Sequence, residues 1–156
     1  ILSSGVRPRK IVLLEGILHS DDALMSNNLI LMDEDQFSRW LDRFRSVSKM
    51  ALKSQLVSRH TKSDIGEWSD AFNVVQGDAF YFMAINLQKR LGTNEIFDAI
   101  RSLSIPLLYI RGENSRLSFA GRAFLQQNNV KIIEISNSAH FPMIDNPKEL
   151  SHLIME

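Results

Sequence analysis

An α/β fold with a mostly parallel sheet is predicted by three features of the sequence. Short apolar runs of strand character lie at Ile11–Leu14, Ile105–Ile110 and Val130–Ile135. A long helical stretch separates the first two, and helical patterning follows each of the others. Three strands make a thin sheet, whose edges are exposed unless something covers them.

The first residues read as the end of a helix and a turn through Gly5 and Pro8, so the sequence starts in mid-element and is expected to continue upstream. Ile11 to Leu14 is continuously apolar with two β-branched residues, as in a buried strand, and Glu15 and Gly16 stand at its C-terminal end. From Gln36 to Val57 the period changes. Phe37, Trp40, Leu41, Phe44, Val47, Ala51 and Leu52 recur at three and four residues, with Asp42, Arg43, Arg45 and Lys49 between them, which is an amphipathic helix. Glu67 to Val75 reads as a short helix with Trp68 and Phe72 inward. Asp78 is expected to cap a helix ending at Gly92, and Asn94 a shorter one carrying Ile96, Phe97, Ile100 and Leu103.

After Ser104 the strand period returns, with Pro106 near the start of its run, where a missing donor is tolerable. Arg111 to Ser115 turns the chain, Ser118 to Gln127 is helical, and the strand VKIIEI leads into the polar loop SNSAHFP. Asn146, Pro147 and Glu149 form a capping-box-like start to a last helix ending near Met155. The chain divides into residues 1–19 (a core strand and its flanks), 20–103 (a helical, aromatic-rich middle) and 104–156 (a C-terminal core with a histidine loop).

Eighteen basic residues balance eighteen acidic ones, which removes the long-range attraction a dedicated nucleic-acid or anionic-membrane binder uses. The Arg7, Arg9 and Lys10 cluster lacks interleaved aromatics and reads as a solvated turn. With no cysteine there is no disulfide framework, thiolate nucleophile or Cys-ligated metal. His19, His60, His140 and His152 are widely separated and match no ligand pattern, and no Gly-rich phosphate loop is present, so no cofactor or metal is expected. No apolar run reaches the roughly 18 residues a membrane span needs, and no secretory leader is seen, which makes the cytoplasm the default location.

Sites in open parallel sheets gather beyond the carboxyl ends of the strands. Glu15, the turn Gly112 to Ser115, and His140 occupy those places here. His140 could take a proton from a nucleophile if a carboxylate fixed its tautomer; the alternative is a histidine bonded to its own loop backbone. Glu15 could be that carboxylate or a solvent-facing boundary residue, Glu113 faces water, and Ser115 could cap the following helix. Trp40, Phe44, Trp68, Phe72, Phe80, Tyr81 and Phe82 fill a helical core, and some would line an apolar pocket if those helices cover the sheet.

The stretches IPLLYIRGENS and VKIIEISNSAHFPMIDNPKEL resemble the closing strands, acid turn and histidine loop of the α/β-hydrolase superfamily, and KIVLLEG resembles the strand after its nucleophile. The helical middle then resembles the cap inserted after that strand. The resemblance implies a fold comprising the C-terminal part of an α/β-hydrolase sheet with a helical cap insertion. It makes His140 the general base of a nucleophile, histidine, acid triad. The G-x-S-x-G elbow and the oxyanion loop would lie upstream, outside this sequence. This chain alone is therefore expected to be inactive, and the missing N-terminal portion of the same fold is its expected partner, with a homodimer pairing the open edges as the alternative. The family commonly places its acid at the fourth position of the turn, which here is Ser115. Some members, haloalkane dehalogenases among them, place it after the strand that Ile11–Leu14 resembles, and Glu15 matches that arrangement, with Glu113 or a missing acid as the other readings. The implied activity is hydrolysis of a small, partly apolar, ester-like substrate, through serine or another nucleophile. The contrasting reading is a protein with a decayed triad whose cap binds a ligand or partner.

Overall fold

The computed structural model describes residues 8–57 and 64–155. The Gly5 turn, Arg7 and His60 lie outside the described residues.

Strand β1 (Ile11–Leu14) is followed by a 3-10 turn (Ser20–Asp22) and five helices: α1 (Leu24–Leu29), α2 (Glu34–Ser54), α3 (Asp64–Val74), α4 (Gly77–Gly92) and α5 (Glu95–Arg101). Then come β2 (Leu107–Gly112), α6 (Phe119–Gln127), β3 (Lys131–Ile135), α7 (Pro142–Asp145) and α8 (Pro147–Met155). The described strands form one parallel sheet in the order β1-β2-β3, with Leu14 beside Ile110 and Gly112 beside Ile135. The fold is the α/β arrangement expected, and the carboxyl ends of all three strands point to one edge.

Period-2 alternation sorts the strand residues between two faces. Tyr109 packs with Leu18, Phe124 and Leu125 and with Leu13 and Ile132, under α5 and α6. Ile110 and Ile135 pack with Leu150 of α8, with Val12, Leu14 and Leu108 against them. β1 is only half-buried along its length, because the described residues supply no strand beyond it.

The helical middle has its own core of Leu29, Phe37, Leu41, Phe80 and Ala84. Helix α2 opens on a capping box in which Asp33 accepts from the Gln36 N–H and the Gln36 side chain accepts from the Asp33 N–H. Its packing against α3 buries a hydroxyl pair, Ser48 with Ser69 at 2.7 Å. Each hydroxyl satisfies the other away from water.

Local departures from the sequence expectations have identifiable causes. β2 begins at Leu107 rather than Ile105 and runs on through Arg111 to Gly112, since pairing with Ile135 holds those residues in the ladder. Asp78 sits in the first turn of α4 without capping it. Asn94 precedes α5 in a left-handed conformation (φ 58°) with no side-chain cap, so it serves as the bend between two helices. Ser118, not Ser115, caps α6, its Oγ accepting from the Gly121 N–H at 3.0 Å. At α8 Asn146 Oδ1 accepts from the Glu149 N–H, and Glu149 accepts from the Asn146 side-chain amide at 2.7 Å.

Among the described residues no helix is long and apolar enough to cross a membrane. Leu125 is wholly buried, packed with Leu18, Tyr109 and Phe124. Leu125→Ala is expected to cost about 2–5 kcal/mol, read as a lowered urea midpoint at unchanged slope.

Candidate active site

The site starts from the way β1 ends. Glu15 donates its N–H to the Ile110 carbonyl at 2.9 Å and takes a left-handed conformation, φ 50°, which non-glycine residues adopt at a cost of about 1–2 kcal/mol. Its carboxylate spans the end of the sheet. Oε1 accepts from the Gly112 N–H at 2.5 Å, and Oε2 lies 3.3 Å from Nδ1 of His140. Only 8% of the Glu15 side chain is exposed, whereas 45% of the His140 side chain is. A buried carboxylate needs such partners, and here they are one backbone amide and one imidazole.

The histidine loop is held by backbone hydrogen bonds and by the side chains of Ser138 and Asp145. Ser138 is buried and its Oγ donates to the Ile135 carbonyl. Asn114 donates its N–H to the Ser138 carbonyl at 2.9 Å. A methyl group on Gly112 would overlap the Ser138 and Ala139 carbonyl oxygens, so glycine is what allows the loop to cross the end of β2. Asp145 accepts from the Ala139 N–H at 2.9 Å and from the Val57 N–H at 3.2 Å, and His140 donates its own N–H to the Gln55 carbonyl at 3.2 Å. The loop is thereby tied to the segment after α2. Trp68 of α3 meets the ring of Phe141 edge-on at 5.0 Å, which adds an aromatic contact to the same junction.

The other sequence candidates lie apart from this pair. Glu113 is exposed and accepts from the Asn137 N–H at 3.0 Å. Ser115 is turned toward Arg111, whose Nε donates to Ser115 Oγ at 3.3 Å and whose terminal nitrogen donates to the Ser115 carbonyl. Arg111 is almost fully buried and pairs with Glu134 at 2.9 Å. His19 accepts from the Asp21 N–H through Nδ1, within the turn that enters the helical layer.

Between the sheet edge and the helices lies a cavity of about 700 Å³, in the size range of small-molecule sites. Glu15 and His140 line it on the sheet side, and Leu52, Phe44 and Phe72 on the helical side. Of the aromatic residues in the middle segment, Phe44 and Phe72 thus reach a pocket, while Phe37 and Phe80 fill the core and Phe82 is exposed. Three residues escaped sequence reasoning. Asp22 accepts from the Ser118 N–H at 2.5 Å and from its hydroxyl at 3.0 Å, pinning the entrance of the helical layer to α6. Arg111 lies inside an apolar strand, and Tyr109 donates its hydroxyl to the Gly16 carbonyl at 2.8 Å. Burial, followed by the nearby Glu15 and Asp22 carboxylates, pushes the Tyr109 phenol above its ordinary value of 10.

Two consequences can be measured. Gly112→Ala is expected to lower stability by about 1–3 kcal/mol in urea melts, since the loop must move to admit the methyl group; an unchanged midpoint would contradict this close crossing of the loop over β2. A raised phenol pKa means that the stability it contributes is full below about pH 10 and is lost as pH climbs past that value. Tyr109→Phe should therefore cost about 1–2 kcal/mol near neutral pH and flatten the alkaline decline in stability.

No protein-family model and no curated protein matches the sequence. Solved structures do match. Cfl2 wild-type from Burkholderia cenocepacia superposes with a TM-score of 0.70 at 14% identity, over 94% of this chain and 56% of that one. MGS-M2, an α/β hydrolase enzyme from a Medee basin deep-sea metagenome library, superposes with a TM-score of 0.55 at 16% identity, over 94% of this chain and 55% of that one. The chain therefore spans just over half the length of these structures, and what the likeness establishes is the fold: an α/β chain of the α/β-hydrolase type.

Proposed function

We propose that this chain is the cap and C-terminal sheet of a hydrolase in which His140 is the general base and Glu15 its orienting acid. The nucleophile and the oxyanion donors would come from a segment outside these 156 residues, paired along the open edge of β1. The observation that carries the reading is the contact between Nδ1 of His140 and a buried Glu15 carboxylate at the mouth of the 700 Å³ cavity. A carboxylate at Nδ1 favours the tautomer with its proton there. Nε2 is then left as the basic nitrogen, and the imidazolium formed on proton uptake is stabilised.

In this mechanism the nucleophile attacks the electrophilic carbon of the substrate and forms a covalent ester while the leaving group departs. With a serine nucleophile, His140 takes the hydroxyl proton, passes it to the leaving group, and later takes a proton from the water that hydrolyses the ester. With an aspartate nucleophile His140 acts in the second step alone, on water. The apolar cap residues Phe44, Leu52 and Phe72 suit a small, partly apolar substrate.

In the full-length polypeptide, His140→Ala is expected to reduce hydrolysis of p-nitrophenyl butanoate or of an aryl epoxide by about 10²–10⁴-fold. Glu15→Gln should lower kcat over a similar range, because the amide no longer favours one tautomer. Unchanged turnover in His140→Ala would remove the assigned base. The 156-residue chain alone should be inactive toward both probes, and activity there that depends on His140 would show that no outside nucleophile is required.

A further inference from the structure

We propose that the cavity takes a substrate with an apolar body and a carboxylate head, and that Arg116 is the residue that binds the head. This deepens the hydrolase reading of the same cavity and rests on it. The cavity walls carry two acidic side chains, Glu15 and Asp22, one arginine, Arg116, and the titratable rings of His140 and Tyr109. Both carboxylates are already engaged: Glu15 by the Gly112 N–H and His140, Asp22 by the Ser118 N–H and hydroxyl and the His19 N–H. Tyr109 donates to Gly16. Among the described residues no carboxylate lies within ion-pair distance of Arg116, and no hydrogen bond holds its guanidinium. Among the described residues the cavity thus holds one unpaired cation, and it is exposed.

Arg116 stands beside Ser115, which also lines the cavity and whose Oγ accepts from Arg111, leaving the hydroxyl proton to be donated elsewhere. A planar guanidinium with five donors fits a carboxylate in two-point fashion, and a single cation matches a monoanion better than a phosphate dianion. Much of the rest of the lining is apolar, though Ser26, Ser54, Gln55 and Asn114 also belong to it. Leu24 and Met25 line the cavity yet remain 50% and 44% exposed, and Phe44, Phe72 and Phe141 face the same space. An alkyl or aryl chain seated there removes that apolar area from water.

Isothermal titration of the full-length polypeptide with octanoate and with octanamide, its uncharged counterpart, tests the inference without requiring turnover. Octanoate is expected to bind about tenfold tighter or more than octanamide. Arg116→Gln should abolish that preference by weakening octanoate alone, and Arg116→Lys should keep part of it. Equal binding of the two probes by the unaltered protein, or a preference that survives Arg116→Gln, would overturn the assignment. No preference for octanoate in the unaltered protein, together with His140-dependent hydrolysis, would remove this inference and leave the hydrolase reading standing. An Arg116-dependent preference with turnover indifferent to His140→Ala would do the reverse.

Discussion

The Glu15 carboxylate joins three separate pieces of backbone at one point. Its own residue ends β1, its Oε1 takes the amide of the last residue of β2, and its Oε2 takes the imidazole from the loop after β3. A carboxylate with so little exposure needs donors that converge on it, so the position of each of these pieces constrains the other two. The left-handed backbone at Glu15 belongs to this arrangement. Local strain of that kind persists where surrounding contacts over-determine it, and here the Ile110 carbonyl on one side and the Gly112 amide on the other do so. Gly112 then satisfies two demands at once, an amide free to donate to Glu15 and no side chain in the path of Ser138 and Ala139.

The helical layer is coupled to the same loop. Gln55 accepts the His140 backbone N–H, and Asp145 reaches both Val57 and Ala139, so the segment after α2 and the histidine loop share their hydrogen bonds. The opposite end of the layer is fastened by Asp22 on the N-terminus of α6, where a carboxylate also complements the helix dipole. The cavity between the two layers therefore has both rims tied. Its shape follows from contacts that also hold His140, which links ligand fit to the geometry of the proposed base.

The strands, the helical middle and the placement of Glu15 and His140 at strand ends were all accessible from the sequence, because each depends on local period or on position relative to an apolar run. What escaped depends on pairing between distant positions. Glu15 and His140 are 125 residues apart, and periodicity does not record their approach, which only the family resemblance suggested; neither records the Gly112 amide that completes it. β2 extends two residues further than its apolar run because ladder bonds to β3 recruit Arg111 and Gly112, a tertiary effect outweighing local composition. Helix α7 was hidden in a loop for a related reason: four residues begun by Pro142 and closed by bonds to Phe141 and Pro142 carry too little sequence to show a period. Asp22 was visible as a residue beside Asp21, yet its role exists only because α6 presents Ser118 to it.

Arg111 explains why the turn after β2 does not present an acid to His140. Its guanidinium, 7% exposed, reaches along the turn to both the carbonyl and the hydroxyl of Ser115 and is balanced on its other side by Glu134. A carboxylate at position 115 would meet this buried cation first, and pairing with it would draw the acid away from His140. With the turn committed to Arg111, the carboxylate that reaches the histidine comes from the neighbouring strand, where β1 ends beside Ile110 and Glu15 has the Gly112 amide within reach. The same commitment leaves residues 115 and 116 as hydrogen-bond donors facing the cavity rather than as members of the charge pair. One buried arginine in β2 thus separates the side of the cavity that carries the Glu15–His140 pair from the side that carries Arg116.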